Sequence, residues 1–166
     1  MISNPVSEAM NTQVMHELYS AYLYLSMSAY FETANLPGFA TWMRVQAQEE
    51  QSHAMKFYQY ILDRGGKVTL QAIQQPPTDY SSALDVFQKS YEHEQKVTGL
   101  ILGIYEKATA QHDVASQIFL QWFVSEQVEE EKNASQILDL LTKIGSSVGS
   151  LYQLDHRLGK RGAADD

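Results

Sequence analysis

Apolar residues recur at steps of three and four along four long stretches of this chain, which is the spacing of one face of an α-helix. The second stretch shows it best, with Phe39, Met43, Phe57 and Tyr60 on one continuous face. No stretch alternates with the period of two that a strand requires. The pattern predicts four long helices and a shorter fifth one, over residues 5–34, 38–64, 82–110, 113–144 and 148–158.

The connections between these helices predict how they are arranged. The corners before Pro37 and around Asp113 are short, so each joins antiparallel neighbours. The connection over residues 65–81 is long enough to span roughly 55 Å when extended. A helix of about 28 residues is only roughly 42 Å long. We therefore predict an all-α fold, a four-helix bundle over residues 5–144 with one long crossover between helices 2 and 3.

The remaining segments complete this prediction. The fifth helix follows the bundle, and the polar residues 159–166 are expected to be frayed. The length of 166 residues suits one domain that spans the whole chain, residues 1–166.

Composition and charge exclude several functional classes. The chain has no cysteine, which excludes disulfides, thiolate metal sites and cysteine-held iron–sulfur clusters. Its formal net charge of −8 disfavours a nucleic-acid partner. The longest apolar stretch, residues 97–105, is too short to cross a bilayer. Because the N-terminal residues also lack the pattern of a secretory signal, we expect a cytoplasmic protein without a membrane partner.

Six polar residues interrupt the apolar faces near the middle of the four long helices. Packed side by side, helices of similar length bring these residues into one layer: Glu17, Glu50, His53, Glu94, Gln127 and Glu130. No Lys or Arg lies on these faces, and burying an unpaired carboxylate costs several kcal/mol. Two divalent cations would balance four glutamates, so the pattern predicts a dinuclear metal site. Carboxylates with one imidazole and no sulfur suit iron or manganese.

The residues by themselves leave three functions open. One is metal storage. The second is a di-iron or di-manganese redox enzyme, of the peroxidase or oxygenase type, that turns over without accumulating metal. The third is a metal-free structural bundle, because a single carboxylate on a helix face usually reaches solvent and a lone core histidine is usually only hydrogen-bonded.

Residues 5–158 resemble the bacterial-type non-haem ferritins. The resemblance is carried by the helix order, the crossover, the fifth helix and residues 16–20, 48–53, 91–95 and 118–131. Ferritin-like di-iron bundles place one Glu on each of two helices and Glu-x-x-His on the other two. This chain has Asn133 where the second histidine would stand, so a second iron would lack an imidazole. Gln51 stands where bacterioferritins carry their haem-ligating methionine, so no haem is expected.

The resemblance also implies an activity and an assembly. It implies an iron-storage protein with ferroxidase activity that oxidises Fe(II) to Fe(III) with O2, or H2O2, at the dinuclear site. Ferric oxyhydroxide mineral would then form in the cavity of a hollow homo-oligomer of 24 subunits.

Residue by residue, the resemblance implies a ligand set. The first iron would be held by Glu17, His53 and a bridging Glu50, and the second by Glu94 and Glu130 beside Gln127. Tyr24 would be the tyrosine next to the iron pair. A neighbouring third site would share Glu130 and use three further carboxylates, those of Glu49, Glu126 and Glu129.

Overall fold

The computed structural model describes residues 1–162 and is built from five helices. They are α1 (Asn4–Thr33), α2 (Pro37–Asp63), α3 (Ala83–Ala110), α4 (Val114–Ile144) and α5 (Val148–Leu158). Each bound lies within one residue of the predicted one, and the predicted all-α bundle with a short fifth helix is confirmed. Among the described residues, no helix combines the length and apolarity needed to cross a membrane.

Local side-chain chemistry explains where the helices begin and end. Pro37 opens α2, where the missing N–H of proline costs nothing. The Ser82 hydroxyl accepts from the Asp85 backbone N–H at the start of α3, and the Asp113 carboxylate accepts from Ser116 N–H at the start of α4. These two side-chain caps fix the residues at which α3 and α4 begin.

The long crossover runs along α1. The Asn11 side chain donates to Lys67 O at 3.0 Å and accepts from Thr69 N–H at 2.7 Å. Farther along the same helix, the Ser26 hydroxyl donates to Pro77 O. The connection therefore returns from the end of α2 to the opposite end of the bundle, and α3 starts parallel to α2, as predicted.

The core consists of two apolar clusters with a polar layer between them. One cluster contains Phe31, Phe39 and Phe87, and the other contains Phe57 and Phe123. On every long helix the interrupting polar residue lies between a stretch in one cluster and a stretch in the other. The apolar clusters hold the helices together on both sides of the layer and keep water away from it.

One predicted helix face is partly wrong. The three- and four-residue spacing of Leu84, Phe87 and Tyr91 predicts that all three face the core along α3, but Leu84 is 41% exposed and Tyr91 is half-buried. The buried face is centred instead on Phe87, Ser90 and Val97. Helix α3 packs mainly on α4 and less on α1. Its buried face therefore lies between these two helices, and Leu84 and Tyr91 fall at the margin of that face.

The expected frayed tail is also wrong for its first residues. Helix α5 packs on α2 and α4, with Leu154 and Leu158 buried in the first cluster. The turn after α5 folds back onto α2, where the Arg161 side chain donates to Gln46 Oε1 at 2.9 Å. Residues 163–166 of the predicted tail lie outside the described part of the chain.

Candidate metal centre

The six interrupting residues do lie in the core. Their exposed fractions are between 1% and 4%, and they come from all four long helices: Glu17, Glu50, His53, Glu94, Gln127 and Glu130. Four carboxylates, one imidazole and one amide thus share the space between the two apolar clusters.

The first group of candidate ligands is Glu17, Glu50 and His53. One ligand atom from each of these residues lies within 4.8 Å of the other two. His53 Nδ1 is 3.7 Å from Glu50 Oε2, and Gln13 donates to Glu17 Oε1 at 2.8 Å. Within residues 1–162, the buried Glu17 Oε2 has no hydrogen-bond partner. An orphaned carboxylate oxygen beside an imidazole fits a divalent cation, which would supply the missing partner.

The second group places Glu126 in the centre as well. His53, Glu126 and Glu130 also bring one ligand atom each within 4.8 Å of one another. His53 Nε2 is 3.7 Å from Glu126 Oε1, so the ring has a carboxylate at each nitrogen. Trp122 and Phe123 each form a T-shaped pair with this ring and restrict its orientation. The resemblance had implied Glu126 only for the neighbouring third site.

Glu94 lies in the layer but outside both groups. Tyr24 donates a short hydrogen bond to Glu94 Oε1, and Gln127 donates to Glu94 Oε2 at 3.2 Å. Burial, and then the Glu94 charge, raise the pKa of Tyr24 well above its usual value, so the phenol keeps its proton and remains a donor. The two donors fix the position of the Glu94 carboxylate within the layer.

Gln46 was missed as a functional residue. Its Nε2 donates to Glu50 Oε1 at 3.0 Å and to Glu130 Oε2 at 2.8 Å, so one amide bridges carboxylates from α2 and α4. The sequence carried a signal for it: Gln46 precedes Glu50 by four residues, as Gln13 precedes Glu17, and both glutamines interrupt an apolar face.

The other two predicted third-site residues, Glu49 and Glu129, lie outside both groups. Glu49 is paired with Arg161, and Glu129 is exposed. Neither belongs to a metal-binding group in the described part of the chain. Of the three predicted third-site carboxylates, the structure brings only Glu126 into such a group.

Burial and mutual repulsion perturb the acids of the layer. Burial, followed by the charge of a neighbouring glutamate, raises the pKa values of Glu17 and Glu50 well above the usual range. Burial raises the pKa of Glu94 to about 7, and burial and the Glu94 charge raise that of Glu130 to about 7. Ionising all four carboxyl groups of the layer at once is therefore unfavourable. Cations bound between them would stabilise the ionised carboxylates and lower these pKa values.

Several known proteins and solved structures that are similar to this chain are ferritins. The family model described as ferritin-like domain matches residues 7–144. A bacterial non-heme ferritin of Bacteroides fragilis is 42% identical over 97% of this chain and 100% of its own length. One of Staphylococcus aureus is 39% identical, with 97% of each chain covered. The open pore ferritin of the archaeon Archaeoglobus fulgidus has a similar structure, with a TM-score of 0.96, 47% identity, and coverage of 97% of this chain and 99% of that one.

Proposed function

Because the chain belongs to the ferritin family, which stores iron, we propose that it oxidises Fe(II) with O2 in the carboxylate layer and stores the ferric product as mineral. The observation that carries the proposal is the layer itself. Four buried glutamates and one buried histidine from four helices meet between two apolar clusters, and no lysine or arginine of residues 1–162 is buried with them. Iron is the substrate and the cargo of this site.

The proposed ligands follow from the two groups. Glu17, Glu50 and His53 hold the first iron, with Glu50 bridging towards the second. Glu94 and Glu130 hold the second iron beside Gln127. The Glu17 oxygen that lacks a partner and the three-residue step from Glu50 to His53 support the first set. The burial of Glu94 and Glu130, and the Gln46 amide that donates to both Glu50 and Glu130, support the second.

The reaction needs little from the chain beyond binding and positioning. Each of two Fe(II) ions loses one electron, and one O2 takes both electrons and two protons to become H2O2. Carboxylate ligands favour the higher charge of Fe(III), and the apolar clusters hold both ions close enough to share one oxygen molecule. Tyr24 and Gln127 fix Glu94, and Gln46 fixes Glu50 and Glu130.

Storage requires a container that one bundle cannot supply. We propose a hollow homo-oligomer of 24 subunits, as the resemblance implies, and a location in the cytoplasm. Large apolar side chains left on the outside support association: Leu25, Ile118 and Val128 are 49%, 63% and 69% exposed. Glu49, Glu126 and Glu129 form the proposed third site, which receives iron beside the central pair.

Anaerobic loading of purified protein with Fe(II), followed by air, tests the proposal. Fast oxidation of about two irons per chain, then retention of many more in a large particle on a sizing column, is expected. Glu17→Gln should slow the fast phase, while the exposed Glu8→Gln on the same helix should leave it unchanged. Binding that stops at two irons on a small oligomer would favour the redox enzyme instead.

A further inference from the structure

The turn after α5 delivers a cation to the edge of the carboxylate layer. The Arg161 guanidinium donates to Gln46 Oε1 at 2.9 Å and to Glu49 Oε2, and it lies 4.3 Å from the centre of the Trp42 ring. Its side chain is only 21% exposed, although it belongs to a polar segment near the end of the chain. Three contacts on one helix face make this an ordered position rather than a loose surface arginine.

The docking of α5 fixes where Arg161 lies. Asp155, which is 7% exposed, accepts from the Phe39 backbone N–H at 2.9 Å in the first turn of α2. At Gly38, a Cβ atom would lie 1.7 Å from the Asp155 carbonyl oxygen, so only glycine allows the two helices to approach this closely. Gly159 packs on the same glycine, since its own Cβ would be 3.1 Å from Gly38 Cα. The segment that carries Arg161 is thus anchored directly against α2.

Arg161 is connected to the metal centre through the side-chain amide of Gln46. The guanidinium holds the oxygen of the Gln46 amide, so the nitrogen of that amide faces the layer. This nitrogen donates to both Glu50 and Glu130. Arg161 therefore orients the amide that fixes two of the proposed iron ligands.

Arg161 also pairs with Glu49, and a metal ion would compete with it for this carboxylate. The guanidinium occupies one oxygen of the Glu49 carboxylate and cannot lose its charge in a protein. A cation that used Glu49 would have to break this pair or accept a nearby positive charge. We propose that the Arg161 guanidinium competes with metal for the Glu49 carboxylate of the third metal site. Metal then binds through Glu49 only when the turn after α5 moves Arg161 away from this carboxylate.

This inference rests on the proposed function, and Zn²⁺ tests both without redox chemistry. Calorimetric titration of the assembled particle should resolve a central class of sites and a third class. Arg161→Gln should strengthen the third class roughly threefold to tenfold, the effect of losing one charge-assisted contact on a partly exposed carboxylate. Arg161→Lys keeps the charge but loses the planar guanidinium with its several N–H donors. It should therefore increase the Zn²⁺ affinity of the third class by less than Arg161→Gln does.

Two controls separate competition from a change in folding. Arg44→Gln removes an arginine that pairs with Glu32 on the surface, and it should leave the third class unchanged. In a Glu49→Gln background, which removes the carboxylate in dispute, Arg161→Gln should have no further effect. An unchanged or weaker third class in both Arg161 variants would overturn the inference, as would a gain that persists with Glu49→Gln.

The Zn²⁺ affinities of the central and third classes of sites also separate failure of the inference from failure of the proposed function. Loss of the central class in the wild-type particle would refute the proposed metal centre and the inference with it. An intact central class with a third class that does not respond to Arg161 would overturn the inference alone.

Discussion

Metal binding should release protons, because several carboxylates of the layer are protonated without metal. With a pKa of about 7, Glu94 and Glu130 each keep roughly half a proton at pH 7 and roughly a tenth at pH 8. Zn²⁺ requires carboxylates, so these two residues release roughly one proton per chain at pH 7 and roughly 0.2 at pH 8. Burial also raises the pKa values of Glu17 and Glu50 well above the usual range, so any protons that they hold add to this release.

Calorimetry in two buffers with different ionisation enthalpies counts these protons. The dependence of the observed heat on the buffer gives the number released when Zn²⁺ fills the central sites. Glu94→Gln should lower the count at pH 7 by at least about half a proton, and the exposed Glu92→Gln on the same helix should leave it unchanged. A release that stays below about half a proton at pH 7, or that does not fall towards pH 8, would refute the reasoning.

Three further predictions concern stability. In metal-free protein the raised pKa values of Glu94 and Glu130 stabilise the fold below the unfolded pKa, and this contribution is lost as pH rises through about 7. The unfolding free energy should fall by roughly 0.7 kcal/mol per chain between pH 7 and 8, read as a falling Tm in chelator. Burial lowers the pKa of His93 to about 4, so this residue opposes the trend by only about 0.1 kcal/mol between pH 7 and 8; a rising Tm would contradict the prediction. Phe57→Ala opens a cavity at a fully buried ring and should cost about 3–5 kcal/mol in denaturant unfolding, whereas a loss below about 1 kcal/mol would show that the core there can collapse. Asp155→Ala should cost about 1–3 kcal/mol and speed hydrogen exchange in α5, while Asp155→Asn keeps the acceptor oxygen; equal exchange in the two variants would count against the proposed docking.

Much of the fold could be predicted because helix formation is governed by nearby residues. Spacing of apolar side chains, prolines at helix starts and short polar corners act over a few residues, so each helix bound was predicted to within one residue. The same local pattern showed that Glu17, Glu50, His53, Glu94 and Glu130 interrupt buried faces. Equal helix lengths then placed them at one level, where the structure has them buried between two apolar clusters.

The partners of these residues depended on the tertiary structure. Glu126 lies next to His53, and Glu94 is held by Tyr24 on another helix. Such pairs depend on how far each helix is rotated about its axis, and one face of α3 shows that sequence spacing fixes this rotation only approximately. A rotation of a few tens of degrees changes which carboxylate oxygen meets which nitrogen, while leaving the apolar pattern intact.

The sequence by itself determined that this chain is a bundle with acids in its core, since apolar periodicity and the cost of unpaired buried charge are properties of single helices. The tertiary structure alone decided that Arg161 returns to Gln46 and Glu49, more than a hundred residues earlier in the chain. Nothing in the polar segment after α5 indicates this contact. It exists because Asp155 and Gly38 let α5 dock closely on α2, and close packing between distant segments leaves no local pattern in the sequence.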